Sequence, residues 1–274
     1  MCSGGASPET PTTRSSPVTR IPQDIVEIII THLIYDKFSL CACSLTCYSW
    51  YIAAVPHLHH TLVIDTDNPR ERRSQWPNLI WHRHMLGLLP LVKKLHILAY
   101  APYGQGKITP KMFNWRALGK FSALANVQEL GIEFLDIPKF MPSLRRYFGH
   151  FLPTVRSLAL RSPRGSHRQI IYFIGLFQHL QDLKLLFKSF GSNSKEAPVG
   201  DLTLMPPFVP PLRGHLTVTL SNRVELLEDM IGLFGGIRFR SMDLFSVVGM
   251  RLLLNACVET LETLRLHQND VRGE

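Results

Sequence analysis

Val155-Arg156-Ser157-Leu158-Ala159-Leu160 sets apolar residues at the first, fourth and sixth of six places. Its second half alternates, as a half-buried β-strand does. The same h-x-x-h-x-h wording recurs as Val92-x-x-Leu95-x-Ile97, Val127-x-x-Leu130-x-Ile132 and Leu180-x-x-Leu183-x-Leu185. It returns as Phe239-x-x-Met242-x-Leu244 and Leu261-x-x-Leu264-x-Leu266, with a one-residue-longer form, Leu212-x3-Leu216-x-Val218, between. Successive copies start 35, 28, 25, 32, 27 and 22 residues apart. The two longest intervals contain insertions: Ala99 to Lys111, and a Pro-rich stretch ending Pro206-Pro207-Phe208-Val209-Pro210-Pro211.

Between the strand patterns lie helix signals. Asn68-Pro69-x-Glu71, Ser166-x-x-Gln169 and Asn222-x-x-Glu225 read as capping boxes. Val224, Leu227, Met230, Ile231 and Phe234 form an apolar helix stripe that stops at Gly235-Gly236, and Phe113, Leu118, Phe121 and Leu124 form another. Strand–helix units of this length resemble leucine-rich repeats, which run about 20–29 residues. The implied fold class is α/β, with an irregular leucine-rich-repeat-like solenoid over residues 68–274. Each unit then buries its apolar face on its neighbour. An ordinary α/β sheet shares the alternation, but the recurring h-x-x-h-x-h favours the solenoid. Only eight residues follow Leu266, so no helix is expected to cap the last repeat.

In each strand the last two apolar residues should point inward. Lys94, His96, Glu129, Ser157, Arg161, Asp182, Lys184, Asp243 and Arg265 would then face the open side.

Upstream, residues 1–20 hold three Pro, four Ser, four Thr and two Gly, which reads as a disordered tail. Ile21, Ile25, Ile28, Ile29 and Leu33 then recur at helical spacing behind Pro22. Asp36-Lys37-Phe38-Ser39 reads as a turn with Ser39 as N-cap. Leu40, Cys43, Leu45, Cys47 and Trp50 follow, broken near Thr46 into two short helices that end before Pro56. Three short helices cannot bury all these apolar residues alone, which leaves surface for a partner.

Ile21-Pro22-Gln23-Asp24-Ile25 and Ser39 through Trp50, with Cys47-x-x-Trp50 at its end, resemble an F-box over residues 21–62. The Ser-Leu-x-Ala-Cys-Ser-Leu wording is similar to the expanded F-box families of fungi. Ile21, Asp24 and Thr46 depart from that family's usual Leu, Glu and Val. The resemblance implies a substrate-recruiting subunit of a cullin–RING ubiquitin ligase. A Skp-type adaptor would be held by Ile21, Pro22, Ile25, Ile28, Ile29, Leu40, Leu45 and Trp50, and a protein substrate by the repeats. The rival reading is a basic repeat protein that binds nucleic acid or another anionic partner and carries a degenerate F-box.

Composition sets the bounds. There are 30 Lys and Arg against 21 Asp and Glu, a net charge of +9, with 45% apolar and 19% charged residues. This is globular composition. No apolar run approaches the roughly 18–20 residues that span a bilayer, and there is no leader-like h-region. A cytoplasmic or nuclear location is expected. Five cysteines, three of them at Cys41, Cys43 and Cys47, read as reduced thiols packed in a helix rather than as disulfides or a zinc site.

Gly104-Gln105-Gly106-Lys107 lacks the rest of a phosphate loop, and neither H-E-x-x-H nor G-x-S-x-G occurs. His82, His84, His150 and His179 are scattered without acidic partners. No catalysis, metal or cofactor is expected. Between Ile137 and Gln181 there are seven basic residues and no acidic one. Arg161, Arg164 and Arg168 within it are the candidates for an acidic or phosphorylated partner. With His96, Glu129, Lys184 and Arg265 they make up the expected substrate-binding set.

Overall fold

The computed structural model describes residues 21–65, 87–98, 124–138, 140–141, 149, 152–187, 211–219, 224–233, 236–245 and 249–267. The chain divides into two units, Met1–Leu58 and His59–Glu274.

The first unit holds α1 (Gln23–His32), α2 (Lys37–Ser44) and α3 (Tyr48–Leu58). Pro22 is the N-cap of α1, where a missing N–H costs nothing, and its carbonyl accepts from the N–H groups of Ile25 and Val26. The cap of α2 is Asp36, not Ser39. Its Oδ1 accepts from the N–H groups of Phe38 and Ser39 at 3.0 and 3.2 Å, and its Oδ2 from the Ser39 hydroxyl at 2.6 Å. A carboxylate out-competes a hydroxyl as acceptor, so Ser39 becomes a donor inside the first turn. The Ser39 hydroxyl, then its N–H, hold the Asp36 carboxyl below its ordinary range.

Leu45, Thr46 and Cys47 break the second run as the spacing predicts. Pro56, however, does not end α3. It lies in the last turn, where one missing N–H costs a single bond, and the helix runs on to Leu58. Val26, Ile30, Leu40, Ala53 and Ala54 form the core of the unit, with Leu33, Cys43, Trp50 and Leu58 against it.

The second unit is α/β. Eight parallel strands lie in sequence order: β1 (Thr61–Asp65), β2 (Lys94–Leu98), β3 (Glu129–Glu133), β4 (Ser157–Arg161), β5 (Asp182–Leu186), β6 (Leu212–Thr219), β7 (Ile237–Leu244) and β8 (Thr263–Leu266). The sheet is open, with β1 and β8 at its edges. Among the described residues it carries α4 (His167–Gly175), α5 (Val224–Leu233) and α6 (Met250–Cys257). The sequence pattern assigns no strand to β1.

Register aligns the apolar frames row on row: Leu95, Leu130, Leu158, Leu183, Leu216 and Met242 in one, Ile97, Ile132, Leu160, Leu185, Val218 and Leu244 in the next. All are buried together with Ile170, Phe173 and Ile174 of α4, Leu226 and Met230 of α5, and Leu253 of α6.

The two-residue gap at the start of each frame has a hydrogen-bonding cause. Lys93 and Lys94 both donate their N–H groups to the His60 carbonyl, and Gln128 and Glu129 both donate to Lys93. Arg156 and Ser157 donate to Gln128, and Gln181 and Asp182 to Arg156, all at 2.7 to 3.0 Å. Two successive N–H groups on one carbonyl break the regular alternation at the entry of these four strands. The break lets the first apolar side chain turn inward, and Val92, Val127, Val155 and Leu180 join the core.

In β6 the frame is one residue longer, and Gly214 absorbs the excess at φ +95°, beside a register shift.

The last frame behaves otherwise. Leu264 and Leu266 continue the inward rows in register with Met242 and Leu244 but stay 38% and 59% exposed, because no described element covers them beyond β7.

Ser166 and Gln169 close a full capping box at the start of α4, with the Ser166 N–H 2.9 Å from Gln169 Oε1 and the Gln169 N–H 3.4 Å from Ser166 Oγ. Ser166→Ala should cost about 1 kcal/mol in a denaturant titration. A change within error would mean that packing alone holds this end of the helix. The Asn68 box, the cap of the Asn222 box, the Phe113–Phe121 stripe, Phe234 with Gly235, both insertions, the tail and His82, His84 and His150 lie outside the described residues.

Candidate functional site

The helical unit has apolar residues on both sides of α1. Val26 and Ile30 face its core, while Ile21, Ile25, Ile28 and Ile29 stay exposed, Ile28 by 54%. Leu45 of the α2–α3 turn is 86% exposed, and Pro22, Tyr48, Tyr51 and Ile52 are exposed as well. Leu40, expected on this surface, is fully buried, because it is the α2 residue that closes the three-helix core. Trp50 is half-buried and packs on that core.

Cys41 and Cys47, expected to pack, are exposed, and Cys43 is half-buried. Only Cys257 is buried among the described cysteines, and burial pushes its thiol up. No three His, Cys, Asp or Glu side chains converge on a metal position among the described residues.

On the sheet, the side chains between the inward rows form a polar face. Its central row reads Val63, His96, Gly131, Ala159, Lys184, Thr217, Asp243, Arg265 from β1 to β8. His96 lies over Gly131, where a Cβ would stand 2.5 Å from its Nδ1. Most charges on this face are paired, across strands or along one. Lys94 meets Glu129 at 2.8 Å, Arg161 meets Glu133 at 2.9 Å, and Lys184 meets Asp182 at 3.5 Å. Asp182 also accepts from the Ser157 hydroxyl at 2.8 Å.

This pairing corrects the expectation of an uncompensated basic segment. Glu133 neutralises Arg161 from the neighbouring strand. Arg164 and Arg168 are exposed, and no ion pair holds either among the described residues. The Gln169 N–H is taken by Ser166, so it is not free to add to an anion site there. His96, Glu129, Lys184 and Arg265 all lie on the polar face, with Arg265 exposed at its β8 edge.

One group escaped the sequence reading. His215 Nδ1 is 3.0 Å from Ser241 Oγ, and its Nε2 is 3.1 Å from Thr217 Oγ1 and 3.5 Å from Asp243 Oδ2. The other oxygens of Asp182 and Asp243 are shielded and make no hydrogen bond among the described residues. The signal was present: aligning the frames puts His215 and Ser241 at one position, and Thr217 and Asp243 at the next outward one. Comparison with protein-family models, curated proteins and solved structures finds no match to this chain.

Proposed function

We propose that the chain is an F-box-type substrate receptor. In this reading the helical unit docks on a Skp-type adaptor, and the sheet is the face of a leucine-rich-repeat-like solenoid that holds a protein substrate. The observation that carries the reading is the surface of α1, where Ile25, Ile28 and Ile29 of the helix and Ile21 just ahead of it stay exposed behind a completed core. A soluble helix that is apolar on both sides is expected to have a partner. The sequence resemblance over residues 21–62 names the partner. Ubiquitin transfer would be done by other subunits, and this chain would raise the local concentration of a substrate lysine.

Ser241, His215 and Asp243 have the residue types of a nucleophilic triad. They sit in mid-sheet, where backbone N–H groups are spent in the strand ladder and cannot cradle an oxyanion, which favours recognition over acyl transfer. The nucleic-acid rival is disfavoured by a central row with no Phe, Tyr or Trp on which bases could stack.

Ile25→Asp places a carboxylate on the docking face without touching the core. Capture of the purified Skp-type adaptor should fall by at least about tenfold, with circular dichroism unchanged. Undiminished capture by this variant would sink the reading. Steeply salt-dependent binding of nucleic acid without adaptor capture would favour the rival instead.

A further inference from the structure

We infer that Arg213, Arg238 and Arg240, at the entry of β6 and β7, form the strip that captures an extended acidic segment of a protein partner. The inference rests on the reading of the open sheet face as a capture surface, and not on the adaptor.

Arg213 and Arg238 are direct register partners on adjacent parallel strands, so two cations stand side by side about 4.8 Å apart along the backbone. Like charges placed this way destabilise a sheet. Arg240 follows as the extra residue of the register shift, since Gly214 pairs with Phe239 and His215 with Ser241. All three side chains are exposed on the side opposite Leu212, Ile237 and Phe239, which are buried. Among the described residues the one carboxylate in reach is Glu262, 3.9 Å from Arg240, with both side chains at least 70% exposed. So open a pair is worth little.

The rest of the face decides where an anion goes. Lys94, Arg161, Lys184 and His215 each have a carboxylate on their own or a neighbouring strand. Arg265 is uncommitted but stands opposite Asp243 with no second cation in register. Among the described residues of this face, the β6–β7 entry alone sets two guanidinium groups without an ion pair in direct register, with the weakly paired Arg240 beside them.

Their layout also selects the ligand. Carboxylates on alternate residues of an extended chain recur about every 6.8 Å, which suits cations on neighbouring strands and on near-alternate positions of one strand. Each guanidinium fork takes one carboxylate bidentately. Carrying opposed arginines at some loss of stability is the expected mark of a binding site.

The test uses the full chain and a fluorescent peptide of alternating Glu and Ser, read by anisotropy. Arg213→Gln/Arg238→Gln/Arg240→Gln should weaken binding at least about tenfold. Arg161→Gln/Arg164→Gln/Arg168→Gln should leave it within about twofold. Arg238→Glu should raise the melting midpoint, by pairing with Arg213, while abolishing peptide binding, which separates lost recognition from lost folding. Equal weakening in both triple variants would reduce the effect to diffuse net charge and overturn the proposal. Tighter binding of oligouridylate than of the peptide, lost in the same variant, would overturn it in favour of nucleic acid. Adaptor capture should persist in every variant. Should the wild-type chain fail to capture the adaptor while the peptide results stand, the adaptor reading falls and this inference does not.

Discussion

Gly214→Ala is expected to lower the stability of the sheet unit by about 4 kcal/mol. Two costs add. A non-glycine residue at φ +95° is strained by about 1–3 kcal/mol. A Cβ there would also stand 2.0 Å from the Gln181 carbonyl oxygen, a backbone atom that cannot rotate away. That oxygen accepts the His215 N–H at 2.7 Å, so relieving the clash breaks the bond that sets the register of β6 on β5. Equilibrium denaturation of the variant measures the loss. A change below about 1 kcal/mol would mean that the long frame can shed its extra residue another way.

Phe173→Ala should cost about 3–5 kcal/mol in the same measurement. Phe173 is fully buried on α4, with the Phe177 ring edge-on at 5.4 Å and the Phe140 ring tilted at 6.2 Å. Phe140 belongs to the unit after β3 and Phe173 to the unit after β4, so the ring joins adjacent units. Phe173→Leu should recover most of the loss, because it refills the volume. If Ala and Leu behaved alike and cost little, the contact between the two units would not be holding them.

These two sites show what could be read from sequence. The inward rows were legible, because burial on one face enforces a period of two, and the frames from Val92 to Leu244 all carry it. Ser166 and Gln169 were legible as a cap because that chemistry is local. Leu40 was misplaced because α1 and α2 have more apolar residues than one face needs, and sequence does not say which side closes the core. The Arg161–Glu133 pair was missed for another reason. The partners are 28 residues apart in the chain and adjacent only through strand register. In register with Leu95, Leu62 makes His59 the counterpart of Val92, so β1 lacks the apolar residue of the entry and Thr61–Asp65 carried no recurring signal.

The strict sequence order of the strands also bears on how the chain comes to be folded. Each strand pairs only with the strand made just before it and the strand made just after. No strand must wait for a distant segment, so the entropy of closing each connection is spent in small, nearly equal steps. A nascent chain can therefore lay each strand on a finished edge as synthesis proceeds, leaving one growing edge unpaired at any moment. Ribosome profiling with a folding sensor would then record a staircase of steps, one for each strand, in place of a single late collapse.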